Sequence, residues 1–208
     1  MLQAIELPSR LFDIAVPTLV TAMITDVRNR IEVFQDRWDQ PQIEQFVAAD
    51  YELVYQALIH IKESQLTIGS QFLEWGCGFA AVSVLAASLG YNAFGVEAEA
   101  DLLPHGHRTV HDWTGELGGH VELFEGNFLP PGTSRLAEDP TLPSLHHPVA
   151  DAYETLGLNI DDFAIIYSYP WPGEDDFHEA VFDATAARGA ILLQFRGPNE
   201  MVAWRKTR

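Results

Sequence analysis

The stretch from Phe72 to Ala81, with the sequence FLEWGCGFAA, constrains the fold more than any other part of the chain. Its first residues are mostly apolar and predict a short buried strand, and two glycines then separate this strand from an alanine-rich helix. Glycine is needed where the backbone bends tightly and approaches a ligand without a Cβ in the way. The start of the helix offers free N–H groups and the positive end of a dipole. The stretch therefore predicts a ligand-binding strand–turn–helix unit.

Strands and helices alternate through the rest of the chain. The pattern predicts strands over 71–75, 92–96, 121–124, 163–167 and 190–195, and helices over 80–89, 98–110, 149–156 and 174–187. Such alternation indicates an α/β fold, a Rossmann-like three-layer sandwich with a mostly parallel sheet and helices on both faces. Ligands of such sheets bind outside the carboxyl ends of the strands. The segment 129–148 holds five prolines and predicts a loop.

The amino-terminal part has a different pattern. Apolar residues recur at three- and four-residue steps over about 11–38 and again over about 42–63, which predicts two helices. We therefore divide the chain into a helical amino-terminal extension, 1–45, and an α/β domain, 46–208. The extension either covers the ligand site or forms the contact of a homodimer, and the sequence leaves both roles open.

The negative charge of the chain is concentrated in its centre. The 208 residues carry a formal net charge of −18, and the segment 63–183 contains 20 acidic residues but only two basic ones, Arg108 and Arg135. A surface that binds duplex DNA gains affinity by neutralising phosphates with lysine and arginine, so we expect no duplex nucleic acid as partner. The same charge disfavours docking on an anionic membrane.

Two further features limit the class of protein. The chain has no apolar run of membrane-spanning length and no basic segment followed by an apolar one at its start, so we expect a cytoplasmic location. Cys77 is the only cysteine, which excludes an internal disulfide and a cysteine-built zinc site. No metal is expected.

Two carboxylates flank the glycine turn and bear on the identity of the ligand. Glu97, at the tip of the second predicted strand, follows Gly78 by 19 residues, where nucleotide-binding folds hold ribose hydroxyls. The residues Gly76, Gly78 and Ala81 also satisfy a loose dinucleotide fingerprint. Glu74, however, suits an amino group better than a pyrophosphate, which favours a cationic ligand such as S-adenosylmethionine over NAD.

With these motifs the chain, from about 51 to 195, resembles the class I S-adenosylmethionine-dependent methyltransferases. The matching segments are LEWGCG at 73–78, GVE at 95–97, EGNF at 125–128 and IIYSYPW at 165–171. The resemblance implies S-adenosylmethionine as cofactor and methyl transfer to a small molecule or a protein side chain.

The resemblance also implies roles for individual residues. Glu74 and the backbone of the glycine turn hold the methionine part, Glu97 holds the ribose, Asn127 with Phe128 holds the adenine, and Tyr51 closes over the cofactor. The implied cofactor-binding residues are Tyr51, Glu74, Gly76, Cys77, Gly78, Glu97, Asn127, Phe128 and Tyr167.

The substrate side is implied by the segment 168–171, which is similar to the Asn-Pro-Pro-Tyr signature of amino-group methyltransferases. Only the proline and the aromatic character of Trp171 match. On this resemblance Ser168 accepts a hydrogen bond from a planar nitrogen, Tyr169 adds a hydroxyl and Trp171 stacks, so these three are the candidate catalytic residues. A proline-rich turn that caps a strand is the structural alternative.

Methyl transfer from a sulfonium needs mainly alignment of the reacting atoms. Where a base is required, Glu174 and His178 are the candidates, because they lie near the same strand tip. Two other functions stay open at this point: a protein that binds S-adenosylmethionine without transferring a methyl group, and an NAD-dependent oxidoreductase.

The chain departs from the family pattern at three places. Ala80 replaces a third glycine, and Asn127 replaces the more usual aspartate. After Phe195 only 13 residues remain, which is too short for the usual final helix and two strands. We therefore expect a shortened carboxyl-terminal sheet edge, with one closing strand over 201–205.

Overall fold

The computed structural model describes residues 1–37, 43 and 46–208. Within these residues the chain forms one mixed sheet. Its strands are β1 (Leu2–Ile5), β2 (Gln71–Trp75), β3 (Asn92–Glu97), β4 (His120–Glu125), β5 (Ile165–Ser168), β6 (Ile191–Gly197) and β7 (Glu200–Lys206). Their order across the sheet is β1-β7-β6-β5-β2-β3-β4. The strands from β4 to β6 in this order pair in parallel, and β7 runs antiparallel to both of its neighbours.

Helices cover both faces of the sheet. They are α1 (Thr18–Gln35), α2 (Tyr51–Glu63), α3 (Ala81–Ser88), α4 (Leu103–Leu117), α5 (Tyr153–Leu156) and α6 (Asp175–Thr185). The first four enclose one hydrophobic core, and the last two, with the loop after β4, enclose the other. This arrangement confirms the predicted three-layer sandwich. None of the helices in the described ranges is both long and apolar enough to cross a membrane.

The alternation of side chains along β5 shows how the sheet separates the two cores. Ile165 and Tyr167 belong to the core under α1 to α4, whereas Ile166 belongs to the core under α6. All three are buried, because a central parallel strand is covered on both faces. This explains why the strand reads as a continuous apolar run rather than as an alternating one.

The amino-terminal helices differ from the prediction in their bounds. Leu11–Asp13 forms a separate 3-10 turn, and α1 follows Pro17 and ends at Gln35. The helix predicted from 42 starts only at Tyr51, because the Asp50 carboxylate accepts a hydrogen bond from the N–H of Leu53 and caps it there. Residues 38, 42, 44 and 45, which the predictions also included, lie outside the described residues.

The helix predicted over 98–110 also starts late. It begins at Leu103 and runs to Leu117. The Glu97 carboxylate accepts a hydrogen bond from the N–H of Glu99, and this contact holds the residues after β3 in a turn instead of a helix. The other predicted helices and strands agree with the structure to within about four residues at each end, and the predicted loop 129–148 contains two short 3-10 turns, Thr133–Leu136 and Pro143–Leu145.

The far edge of the sheet is built from both ends of the chain. The carboxyl-terminal residues supply the single closing strand that was predicted, β7. The next position is filled by β1, with Leu2 opposite Lys206 and Ile5 opposite Ala203. The predicted helical extension, 1–45, did not include this strand. Its four residues are too few to carry a recognisable pattern, and their partners lie at the other end of the sequence.

The turn between α4 and β4 allows a test of the packing. Gly118 and Gly119 both have positive φ values, 80° and 103°. A Cβ at position 119 would lie 2.4 Å from the carbonyl oxygen of Ala87 in α3, whereas a Cβ at position 118 would meet nothing within 4 Å. Gly118 has φ of 80° and ψ of 169°, a region that other residues rarely adopt, so we expect Gly118→Ala to lower the free energy of unfolding by about 2 kcal/mol. Gly119→Ala should lower it by about 3 kcal/mol or more, because the backbone of α3 must move. Chemical denaturation measures both losses, and equal losses would contradict this account.

Candidate active site

The carboxyl ends of the central strands open into a cavity of about 890 Å³, which we call the strand-tip cavity. The tips of β2, β3 and β5 form its base, and residues of the amino-terminal part form its cover. Most predicted site residues line it: Tyr51, Glu74, Gly76, Cys77, Gly78, Glu97, Asn127, Phe128, Tyr167, Tyr169 and Trp171. Ser168 does not; it is fully buried on the α6 side of the sheet, between Trp75 and Gln194 of the neighbouring strands.

The glycine turn folds back over β3. Gly76 and Gly78 have φ values of 69° and 49°, which L-residues with side chains rarely adopt. The N–H of Cys77 donates to the carbonyl oxygen of Val96 at 2.9 Å. A Cβ at Gly95 would lie 2.8 Å from the Cβ of Cys77, so the missing side chain on β3 makes room for the turn.

Ala80, which replaces a third glycine, also has a left-handed conformation, with φ of 57°. An alanine in this region costs about 1 kcal/mol relative to glycine. Its buried methyl group is accommodated without loss of the turn, because its N–H still donates to the carbonyl oxygen of Cys77.

Glu97 ties the glycine turn to the tip of β3. Its Oε2 accepts a hydrogen bond from the N–H of Gly78 at 2.7 Å, and its Oε1 accepts one from the N–H of Glu99 at 2.9 Å. Burial raises the pKa of Glu97, and these backbone donors offset part of that rise. The carboxylate thus both braces the turn and lines the cavity beside it.

Glu74 caps α3 from the end of β2. Its Oε2 accepts hydrogen bonds from the N–H of Ser83 at 2.8 Å and from the Ser83 hydroxyl at 2.5 Å. Ala80, at the N-cap of α3, has no side chain for this task. Burial raises the pKa of Glu74 to about 8; the hydrogen bonds from Ser83 oppose this rise, and the nearby Glu97 adds to it. Oε1 makes no hydrogen bond to the residues that the structure describes.

Two tyrosines face the same part of the cavity. Tyr167 lies opposite Glu74 in the sheet, and its hydroxyl is buried without a hydrogen-bond partner among the described residues. Burial, and then the charge of Glu74, raise the pKa values of Tyr167 and Tyr51, so both phenols stay neutral. Aromatic rings and a carboxyl group form an environment that attracts a cation.

Aromatic residues of the amino-terminal part cover the glycine turn. The ring of Phe46 lies 2.7 Å from the position that a Cβ of Gly78 would take. Phe46 stacks on Phe79, with ring centroids 5.2 Å apart, and meets Phe34 edge to face at 5.9 Å. The Gln35 side chain donates to the carbonyl oxygen of Phe46 at 3.0 Å and fixes this cover to the end of α1.

Arg37 is the one arginine or lysine among the described residues that line the cavity. Its guanidinium lies 3.9 Å from the centre of the Phe34 ring, and its Nε donates to the carbonyl oxygen of Phe34 at 3.1 Å. The structure shows no further hydrogen bond from this guanidinium to the residues that it describes. Within the described part of the chain, five acidic side chains line the same cavity: Glu74, Glu97, Glu99, Asp101 and Glu174.

Asn127 and Phe128, which the resemblance predicts to hold adenine, are partly engaged within the chain. The side-chain oxygen of Asn127 accepts a hydrogen bond from the N–H of Leu129 at 2.9 Å, and its amide donates to the carbonyl oxygen of Ser144 at 3.3 Å. Phe128 stacks on Trp75 with centroids 4.8 Å apart. Asn127 therefore also fixes the proline-rich loop to the cavity wall.

A second carboxylate network lies behind these aromatic rings. Glu174, immediately before α6, accepts hydrogen bonds from the N–H of Ser144 at 2.6 Å and from its hydroxyl at 2.7 Å. His178, one helical turn further, places its Nε2 3.2 Å from the Ser144 hydroxyl and 3.7 Å from Glu174. All three residues are buried and line the cavity.

The sequence analysis missed Arg37, Phe46 and Ser144. Arg37 lies close to the end of the apolar pattern of the first predicted helix. If that helix covers the ligand site, an arginine at its end is a candidate ligand contact, and this was the signal available in the sequence. Phe46 was placed inside a predicted helix that does not form there. Nothing in the proline-rich loop distinguishes Ser144 from the serine or threonine residues around it.

No family model matches the chain, and no curated protein is detectably similar to it in sequence. Solved structures are similar in fold. A methyltransferase from Geobacter sulfurreducens shares 16% identity over 99% of this chain and 100% of its own, with a TM-score of 0.51. An SAH-bound methyltransferase from Podospora anserina shares 14% over 86% of this chain and 62% of its own, with a TM-score of 0.50. An O-methyltransferase from Bacillus cereus in complex with SAH shares 11% over 88% and 69%, with a TM-score of 0.51. The chain thus has the fold of the class I S-adenosylmethionine-dependent methyltransferases.

The raised pKa of Glu74 predicts how stability depends on pH. Its pKa is about 8 in the folded chain and 4.5 when exposed, so the folded state holds one more proton between these values. The stability from this protonated group is complete below pH 4.5 and is lost as the pH rises through about 8. We expect wild type to lose free energy of unfolding over this window relative to Glu74→Gln. Denaturation of both proteins from pH 5 to 8.5 measures the difference; a constant difference would contradict the assignment, and the exposed Glu125→Gln is the control.

Proposed function

We propose that the protein is an S-adenosylmethionine-dependent methyltransferase that acts on a small molecule or a protein side chain. The observation that carries the proposal is the placement of two buried carboxylates, Glu74 and Glu97, on either side of one glycine turn in a cavity. Two of the three structurally similar proteins named above are bound to SAH, the product of methyl transfer from this cofactor.

The residues present fit this cofactor. A cavity of about 890 Å³ falls in the range of small-molecule sites. The space beside Gly76 is open, since a Cβ there would meet nothing within 4 Å. Glu97 would hold the ribose, and Arg37 would hold the carboxylate of the methionine part. Glu74 would receive the ammonium group, beside the unpartnered hydroxyl of Tyr167.

When bound, the cofactor supplies a methyl group on a positively charged sulfur. The chain would contribute alignment: the glycine turn and Glu97 would hold the ligand, and Tyr51, Phe46 and Arg37, which line the same cavity, would cover it. Such a cover would exclude water and so strengthen the electrostatic contacts inside. Glu74 would lose its proton on binding the ammonium group, because the added positive charge lowers its pKa.

The same charges disfavour a dinucleotide. NAD would bring a pyrophosphate into a cavity whose described lining has five acidic side chains and one arginine. A protein that binds the cofactor without transferring a methyl group is the second candidate, since Ser168 does not line the cavity. Release of SAH in the presence of an acceptor separates these two functions.

Binding measurements test the proposed cofactor. By calorimetry we expect S-adenosylmethionine to bind and NAD to show no binding. Glu97→Gln should weaken binding by about 10- to 100-fold, because it removes a charged hydrogen-bond acceptor. Glu125→Gln is the matched control, since Glu125 is paired in register with Glu97 on the next strand but is exposed. Binding of NAD without S-adenosylmethionine would refute the proposal.

Arg37 provides a second test. Arg37→Met keeps the packing length but removes the charge, so we expect S-adenosylmethionine to bind roughly tenfold more weakly. The affinity for methylthioadenosine, which has no carboxylate, should stay the same. An equal loss for both ligands would show that Arg37 only shapes the cover.

A further inference from the structure

The network of Glu174, Ser144 and His178 has a geometry that the cofactor does not account for. The network lies in the same cavity as the glycine turn but does not include any residue of that turn. What we infer from the network therefore rests on the proposed function. Glu174 and His178 are only 2% and 3% exposed. Among the described residues, no lysine or arginine contacts Glu174; its partners are Ser144 and His178.

The hydrogen bonds fix Glu174 as a carboxylate. Burial alone would raise its pKa, but the nearby His178 ring and the two hydrogen bonds from Ser144 outweigh burial and leave the pKa below its ordinary value. Each of its oxygens accepts one bond from Ser144 and keeps a further lone pair, since a carboxylate has about four acceptor sites. The Ser144 hydroxyl donates to this carboxylate, so Ser144 is not arranged as a nucleophile.

The walls around Glu174 are flat and aromatic. Trp75 and Phe128 stack on each other, and both meet the ring of His178 edge to face, at 5.6 Å and 5.0 Å. Trp171, which precedes Glu174 by one turn, lines the same side of the cavity. Such walls fit a planar ring, and the carboxylates repel an acceptor that carries its own negative charge.

We propose that the methyl acceptor is an uncharged planar molecule with an amino group conjugated to its ring, and that Glu174 is the catalytic residue that receives a proton from this group. The nitrogen lone pair forms the bond to the methyl carbon while the carbon–sulfur bond breaks and leaves its electron pair on sulfur. The nitrogen, now positively charged, transfers one N–H proton to the Glu174 carboxylate. The products are a neutral methylated amine, a neutral thioether and a carboxylic acid that later gives its proton to water.

The strength of the base favours nitrogen over a hydroxyl acceptor. The cation formed when a conjugated amine is methylated is much more acidic than an alkylammonium ion, because loss of its proton restores conjugation with the ring, so a carboxylate of low basicity can take that proton. A phenolic hydroxyl, with a pKa of about 10, must lose its proton by the time the bond forms, and Glu174 is poorly matched to that step. Ser144 and His178 are positioning residues in this scheme, because they act by holding Glu174 in its ionised form.

A set of matched probes tests the acceptor class with the full chain. Transfer of radiolabelled methyl from S-adenosylmethionine is measured to aniline, adenine and cytosine, to phenol, and to para-aminobenzoate. We expect transfer to at least one of the amines, little or none to phenol, and at least about tenfold slower transfer to para-aminobenzoate than to aniline. Transfer to none of the amines by a protein that binds the cofactor overturns the inference, and so does a preference for phenol. Failure to bind the cofactor contradicts the proposed function instead.

Variants test the role of Glu174 separately. Glu174→Gln should lower kcat for the best amine by about 100-fold or more while the Kd for S-adenosylmethionine changes little. Asp176→Asn, which removes the same charge from an exposed position two residues away, should keep the wild-type rate. An unchanged kcat in Glu174→Gln overturns the assignment.

A milder variant covers the case in which Glu174→Gln does not fold. Ser144→Ala removes one donor to Glu174 and therefore raises the pKa of that carboxyl group. The acid limb of the pH profile of kcat/KM should move upward by about one pH unit. A loss of rate with no movement of the limb would mean that Ser144 only fixes the loop, and would overturn its positioning role.

Discussion

The hydrogen bond from the N–H of Gly78 to the Glu97 carboxylate joins the glycine turn to the neighbouring strand, and much of the site depends on it. Glu74 makes the equivalent contact on the other side, to the first turn of α3. A buried carboxylate is costly unless it is hydrogen-bonded, and both find their donors in the backbone of the same short segment. The turn, the start of α3 and the charge of the cavity are therefore set by the same two side chains.

The positions of these carboxylates show which part of the strong negative charge of the chain can act on a ligand. Most of the acidic residues between 63 and 183 lie on the surface, where salt screens them over about 8 Å. Three of those that line the cavity, Glu74, Glu97 and Glu174, are buried in low-dielectric surroundings, where their effect on a ligand is far larger. Among the described residues that line the cavity, Arg37 is the one arginine or lysine that opposes them. The charge pattern thus suits a ligand with separated positive and negative groups.

The parts of the fold that sequence reasoning predicted are those set by local physics. The strand, the glycine turn and the helix over 71–89 follow from apolar periodicity and from the conformational freedom of Gly76 and Gly78. The predicted ends of helices were wrong where a side chain overrides the apolar periodicity, as the capping Asp50 does at the start of α2. β1 and the contact of Ser144 with Glu174 were missed because they join segments far apart in the chain, about which a local pattern carries no information.

The amino-terminal segment contributes both to the edge of the sheet and to the lining of the cavity. β1 completes the sheet at the edge opposite β4, and α1 then packs across α2, α3 and α4 and is fixed to α4 by the hydrogen bond from Trp113 to Asp26. The end of α1 brings Phe34 and Arg37 to the cavity of the same chain, where Phe46 completes the cover. Of the two roles that the sequence left open for this segment, the geometry within one chain favours the cover, and a homodimer contact stays a prediction. Since the same segment pairs with the sheet edge and closes the cavity, a change that loosens β1 or α1 would act on ligand binding as well as on stability.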